Sequence, residues 1–174
     1  MGFFDDLERA WKRFDKMHPG EQDAYRDVIA ANPMNGLVLK ESADKAEAWA
    51  KSLANFGTNA AGPGISIHNG PADAARHCYW SALLASKIPY NDAMRVVVTH
   101  EFGALDSGKA QDKLEARMDL HNDRVGLEIG TRMKGAADAQ LQDQCLEALF
   151  GGKLLVIDPK TSTLIPSKSL TPLR

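Results

Sequence analysis

The sequence predicts an all-α fold, a single compact bundle of about six to seven helices followed by a short C-terminal extended or hairpin segment. Three observations predict it. Apolar residues recur at spacings of three and four in one segment after another, the periodicity of an amphipathic helix. Proline, glycine and asparagine cluster between those segments, where helices must stop. Short runs of β-forming residues mark the end, in Lys153 to Pro159 and Ser162 to Pro166. With 174 residues and no internal repeat or low-complexity linker, residues 1–174 read as one domain, with a core motif region at 68–126 and an extended tail at 153–174. A chain of this size buries about two-thirds of its unfolded surface and needs no metal or disulfide in order to fold.

Each element has its own signal. Leu7, Ala10, Trp11 and Phe14 share a helical face, and His18-Pro19-Gly20 ends it. From Glu21 to Ala31, the residues Ala24, Tyr25, Val28 and Ile29 form the next apolar face, which Asn32-Pro33-Met34-Asn35-Gly36 terminates. Ser42 is placed to cap a third helix running through Ala46, Trp49, Ala50 and Leu53 to Phe56. Gly57 to Gly70, with four glycines and a proline, reads as a loop that delivers His68 and Asn69 to the next helix. That helix opens at Pro71, where the missing N–H costs nothing, and continues to about Lys87. After Pro89 and Tyr90, Asn91 can cap a helix carrying Met94, Val97, Val98 and Glu101 that fades near Gly103, with a further break at Gly108. A long segment from about Ala110 to Met133 and a helix over Ala137–Phe150 complete the set.

Composition narrows the function. The net charge is -2 and lysine and arginine are scattered, so no basic stripe is present for phosphate backbones and nucleic acid is not an expected partner. Cys78 and Cys145 lack C-x-x-C spacing and sit in helical segments, so they read as reduced core thiols. Met1-Gly2-Phe3-Phe4-Asp5-Asp6 does not resemble a signal peptide, and no run reaches the roughly 20 apolar residues of a membrane span. The expectation is a protein with no transmembrane segment, made in the bacterial cytoplasm, with secretion by a route that needs no signal peptide left open.

The informative feature is a polar constellation in otherwise core-like helices. It comprises His68-Asn69-Gly70-Pro71-Ala72-Asp73-Ala74-Ala75-Arg76-His77, then His100-Glu101, then Asp119-Leu120-His121-Asn122. Such groups are expensive in a core unless they satisfy one another or bind something. Asp73, His77 and Trp80 fall at i, i+4 and i+7 and share a face with Arg76 at its edge, so Asp73 can orient or charge His77. His100 and Glu101 point about a quarter-turn apart and can straddle a helix junction. Asp119 and His121 diverge on an unbroken helix, so Asp119 is paired with Asn122, leaving His121 to pack or bridge. Imidazole and carboxylate donors from three helices suit zinc, manganese or iron, with His77, His100 and Asp119 as the expected ligands. Their order resembles the layout of the helical HD-type phosphohydrolases, departing from it at Glu101, where that pattern has Asp.

Taken together, Asn69-Gly70-Pro71-x-Asp73-Ala74-x-Arg76-His77-x-x-Trp80, His100-Glu101 and Met118-Asp119-x-His121-Asn122-x-x-x-Gly126 resemble a bacterial all-α domain family of largely unassigned function found in secreted and polymorphic-toxin-type proteins. The resemblance implies one buried polar site built from Asn69, Asp73, Arg76, His77, His100, Glu101, Asp119, His121 and Asn122. That family often has Asn where this chain has Asp123, a departure of little weight if position 123 lies outside the ligand shell. The resulting expectation is an effector or toxin-like hydrolase acting on a phosphoester or lipid-like phosphodiester, with a cell-wall amide or glycosidic bond also open. His77, His100 and Glu101 would be catalytic, Asn69, Arg76 and Asn122 would bind substrate, and Asp73 and His121 would support them, around a divalent metal or a metal-free acid–base centre. The competing expectation is a non-enzymatic protein in which the cluster is a structural polar network facing a protein partner, such as an immunity protein, an adaptor or a host target.

Overall fold

The computed structural model describes residues 12, 14–58 and 68–169. The helix expected over Leu7–Phe14 and most of the loop before His68 lie largely outside these residues. Among the described residues the order is α1 (Pro19–Ala31), α2 (Met34–Thr58), α3 (Pro71–Lys87), α4 (Tyr90–His100), the short α5 (Phe102–Asp106), α6 (Ala110–Arg132), α7 (Asp138–Phe150), β1 (Leu155–Asp158) and β2 (Thr163–Pro166), with a 3₁₀ turn at Ser167–Ser169. The fold is all-α with a C-terminal hairpin, as the sequence predicts. None of the described helices is long and apolar enough to cross a membrane.

Two starts differ from the sequence reading. α2 begins at Met34, eight residues before Ser42. Asn32 Oδ1 accepts the Met34 N–H at 3.1 Å, so Asn32 and Pro33 already supply the cap and the restart. Ser42 is then an interior helical residue, fully buried, and its hydroxyl has no hydrogen-bond partner. Likewise α4 starts at Tyr90 directly behind an extended Pro89, so Asn91 lies within the first turn and does not cap it.

α3 is the central helix and is buried over almost its whole length. It packs most extensively on α6, then on α2 and α7. Its alanines and the glycines of α6 explain how close these helices come. A Cβ at Gly126 would overlap the Cys78 carbonyl oxygen and Ser81 Oγ, and one at Gly130 would overlap the Ala82 carbonyl. The matched numbering means that α3 and α6 run in the same direction. Asp119, Asp123, Gly126 and Gly130 thus form one stripe on α6 that faces α3. Cys78 of α3 and Cys145 of α7 are free, fully buried thiols with their sulfurs 3.4 Å apart.

The hairpin pairs Leu155 with Pro166 through to Asp158 with Thr163 in antiparallel register. Three ties bind it to the helices beside the site. Ile157 N–H donates to the Asn69 carbonyl at 3.0 Å. Asn122 donates from Nδ2 to the Leu155 carbonyl at 3.0 Å and accepts the Leu155 N–H on Oδ1 at 2.8 Å. His121 Nε2 donates to the Lys153 carbonyl at 2.9 Å. Asn122 is fully buried, so Asn122→Ala leaves two backbone groups without partners. It is expected to cost about 1–3 kcal/mol, visible as a lower urea midpoint together with faster amide exchange in β1.

Candidate metal centre

The α3–α6 crossing carries His77 inward against Asp123 and Asp119, while the end of α4 delivers Glu101 to the same place. His77 is 1% exposed and Asp123 is 1% exposed. His77 Nδ1 lies 3.4 Å from Asp123 Oδ1, and Nε2 lies 3.3 Å from Asp119 Oδ1. Glu101 is the C-cap of α4 and is buried. His77, Glu101 and Asp123 each offer a ligand atom, and these atoms lie within 4.8 Å of one another. That group could hold a metal ion, and one imidazole with two carboxylates suits zinc, manganese or iron.

A collar of polar groups surrounds this centre. Arg76 donates from Nε at 3.0 Å and from Nη2 at 2.6 Å to Asp73 Oδ1, and Nη2 is also 2.6 Å from His77 Nε2. Asp73 Oδ2 accepts the Asn69 N–H at 2.7 Å, and Asn69 Nδ2 donates to Glu115 Oε1 at 2.8 Å. Asn69 itself has φ +61°, a left-handed conformation that asparagine tolerates well. His100 Nδ1 is 2.7 Å from Glu21 Oε1 of α1, and its ring stands edge-on to Trp80 at 5.1 Å. Exposed His68 lies 3.7 Å from Glu115 Oε1.

The structure places the expected residues as follows. Of the expected ligands His77, His100 and Asp119, His77 belongs to the group with metal-binding spacing among the described residues, which is His77, Glu101 and Asp123, while His100 Nδ1 meets Glu21 Oε1. Asp119 stays beside His77 Nε2. Asn122 and Asn69, expected to contact substrate, use their amides on β1 and on Glu115. Arg76 remains partly exposed. Asp123, whose departure from the family pattern would carry little weight outside a ligand shell, belongs to the group whose spacing could hold an ion. The signal for it was present in the sequence, since Asp119, Asp123, Gly126 and Gly130 follow a 4-3-4 spacing. Glu21 also escaped sequence reasoning, although it continues the inward stripe of Ala24 and Val28.

The hydrogen bonding at the centre is incomplete. Among the described residues six buried side-chain atoms lack a hydrogen-bond partner, and four of them are His77 Nδ1, Asp119 Oδ1 and both oxygens of Asp123. Native proteins leave few such atoms, and a cluster of them points to an ion or water in their midst. Protonation follows the same logic. Burial, then repulsion from Glu101 and Asp119, pushes the Asp123 carboxyl well above the usual carboxylate range. Burial, then Glu101 and Asp73, pushes Asp119 up to about 8. Burial also raises Glu101, and burial with the Arg76 charge holds His77 well below 6.5. At His100 burial opposes the charge, but the Glu21 carboxylate outweighs it and the net shift is upward.

In the chelator-treated protein these shifts act on stability in opposite directions. His77 favours folding above its ordinary 6.5, and that contribution fades as pH falls through this value. The raised groups favour folding below their ordinary values, and their contribution is lost as pH rises through the folded ones, which for Asp119 means about 8. Above 6.5 only the second effect remains. The melting temperature is expected to fall between pH 6.5 and about 8, and Asp119→Asn should flatten that fall.

These features define a helical protein with a buried histidine–carboxylate cluster whose spacing could hold a cation. The chain belongs to the family described as domain of unknown function (DUF6973), whose model matches residues 27–153. That span includes Arg76, His77, Glu101, Asp119 and Asp123, and leaves out Glu21 and the hairpin. No solved structure matches the chain.

Proposed function

We propose that this domain is a cation-dependent hydrolase acting on an anionic ester, with a phosphoester or lipid-like phosphodiester as the substrate class. The observation that carries this reading is the set of four partnerless buried atoms on His77, Asp119 and Asp123, next to Glu101. A network serving packing alone would pair its own atoms. When bound, a divalent cation would supply Lewis acidity toward the ester and a water acidic enough to ionise near neutral pH.

The chain's residues take the remaining tasks. His77, Glu101 and Asp123 form the cation set, and burial keeps bulk water from competing for them. Arg76, partly exposed, presents a planar fork suited to a phosphoryl group. His100, oriented through Nδ1 by Glu21 and with its pKa raised, is the group that protonates the leaving oxygen. The resemblance to domains of secreted and toxin-type proteins supports placing this reaction in a delivered effector.

The test is elemental analysis by mass spectrometry of protein purified without chelator or histidine tag, beside His77→Ala and Asp123→Ala. Near-stoichiometric zinc, manganese or iron in the parent, lost in both variants, is the expected result, followed by cleavage of a chromogenic phosphodiester. A folded parent that takes up no metal under replete conditions would end this reading and leave the polar network as the function of the cluster.

A further inference from the structure

A short contact joins Arg76 Nη2 and His77 Nε2, at 2.6 Å. A guanidinium only donates, so Nε2 must accept with its lone pair. A neutral imidazole has one such lone pair, and its proton must then sit on Nδ1, facing Asp123 Oδ1 at 3.4 Å. This also explains why Asp119 Oδ1, 3.3 Å from Nε2, receives no hydrogen bond. Nε2 carries no proton to give.

We infer that Arg76 competes with the cation for His77, so that loading the centre releases Arg76 to bind the anionic group of the substrate. The inference rests on the hydrolase reading above and adds its regulation. Coordination at either ring nitrogen uses the single lone pair. At Nε2 the cation displaces the Arg76 N–H directly. At Nδ1 the proton moves to Nε2, where it points at Asp119 Oδ1 and meets the Arg76 N–H head-on. No proton is gained or lost by the ring in either case, and the Arg76–His77 hydrogen bond breaks in both. Arg76 keeps its anchor on Asp73 through Nε and one Nη2 N–H. The second Nη2 N–H, which His77 had held, is freed on a side chain that is 32% exposed and can turn to a phosphoryl oxygen. Without the cation the site holds its own arginine and is a poor anion receptor. With it, the two binding events favour each other.

Two measurements test this. The first is the two-bond ¹⁵N–¹H correlation spectrum of the histidines in chelator-treated parent protein. His77 should show a protonated Nδ1 and an accepting Nε2, whereas a protonated Nε2 would overturn the inference. The second is the affinity for manganese or zinc in the parent, Arg76→Gln and Arg76→Lys. Lysine keeps the charge but is too short, and lacks the fork, to hold Asp73 and His77 together. Both variants are expected to bind the cation about tenfold more tightly, and cation-loaded Arg76→Gln should bind inorganic phosphate more weakly than the loaded parent. Equal cation affinity in parent and both variants would refute the competition while leaving the metal centre standing. No cation binding in any of the three proteins would overturn the hydrolase reading and this inference with it.

Discussion

Replacing Asp123 with Asn is expected to make the chelator-treated protein more stable while abolishing its cation binding. Asp123 is 1% exposed, neither oxygen has a hydrogen-bond partner, and Glu101 and Asp119 repel its charge. Ser81 lies nearby but gives its proton to the His77 carbonyl at 2.7 Å. Folding at neutral pH must therefore either bury a charge or take up a proton, and Asn requires neither while filling the same space. Relief from that charge or proton uptake, less the cost of the buried amide, is expected to be worth about 1–3 kcal/mol, or roughly 2–12 °C in melting temperature for a chain of this size. Saturating cation should reverse the order, because it stabilises only the protein that binds it. A lower melting temperature for the Asn variant without cation would mean that Asp123 is partnered in solution.

Gly126→Ala is expected to cost about 3 kcal/mol or more, even though alanine favours a helix by about 1 kcal/mol over glycine. The clash wins because the added methyl would overlap the Cys78 carbonyl oxygen and Ser81 Oγ, and a backbone carbonyl in a packed helix cannot turn aside as a flexible side chain can. α3 would have to move away from α6, taking His77 from Asp123, so residual folded protein should also lose cation affinity. Gly103→Ala is the control. Nothing lies within 4 Å of a Cβ built there, so the same change in helical α5 should be neutral or stabilising. Chemical denaturation of the two variants side by side decides the matter, and similar midpoints would contradict the close crossing of α3 and α6.

Much of the architecture was legible because the helices are marked by strong local signals. Pro71 after Gly70, the break at Pro89 and the glycines around α6 place α3, α4 and α6 within a few residues of their observed bounds. The start of α2 differs from the sequence pattern because Gly36 looks like a terminator, yet in a first turn its cost is small against the 25-residue helix that follows. The site was legible in its parts: His77, Arg76, Glu101 and Asp119 do meet. What the sequence withheld was which neighbour each would find. Glu21 reaches His100 across 79 positions, a separation no local pattern encodes. Asp123 sat in plain view at i+4 from Asp119, but its importance depends on the α3–α6 crossing, which two glycines fix and periodicity alone does not reveal.

The paired thiols in the core have a practical consequence. Cys78 and Cys145 face each other between α3 and α7 with no exposed surface, and the contact with Cys145, then burial, pushes the Cys78 thiol well above its ordinary range. A thiol reagent can thus reach them only when those two helices part. Labelling kinetics become a clock for the opening of the very helix that carries His77. The chain contains its own reporter, needing no engineered probe, for how firmly an occupant of the centre holds the bundle shut.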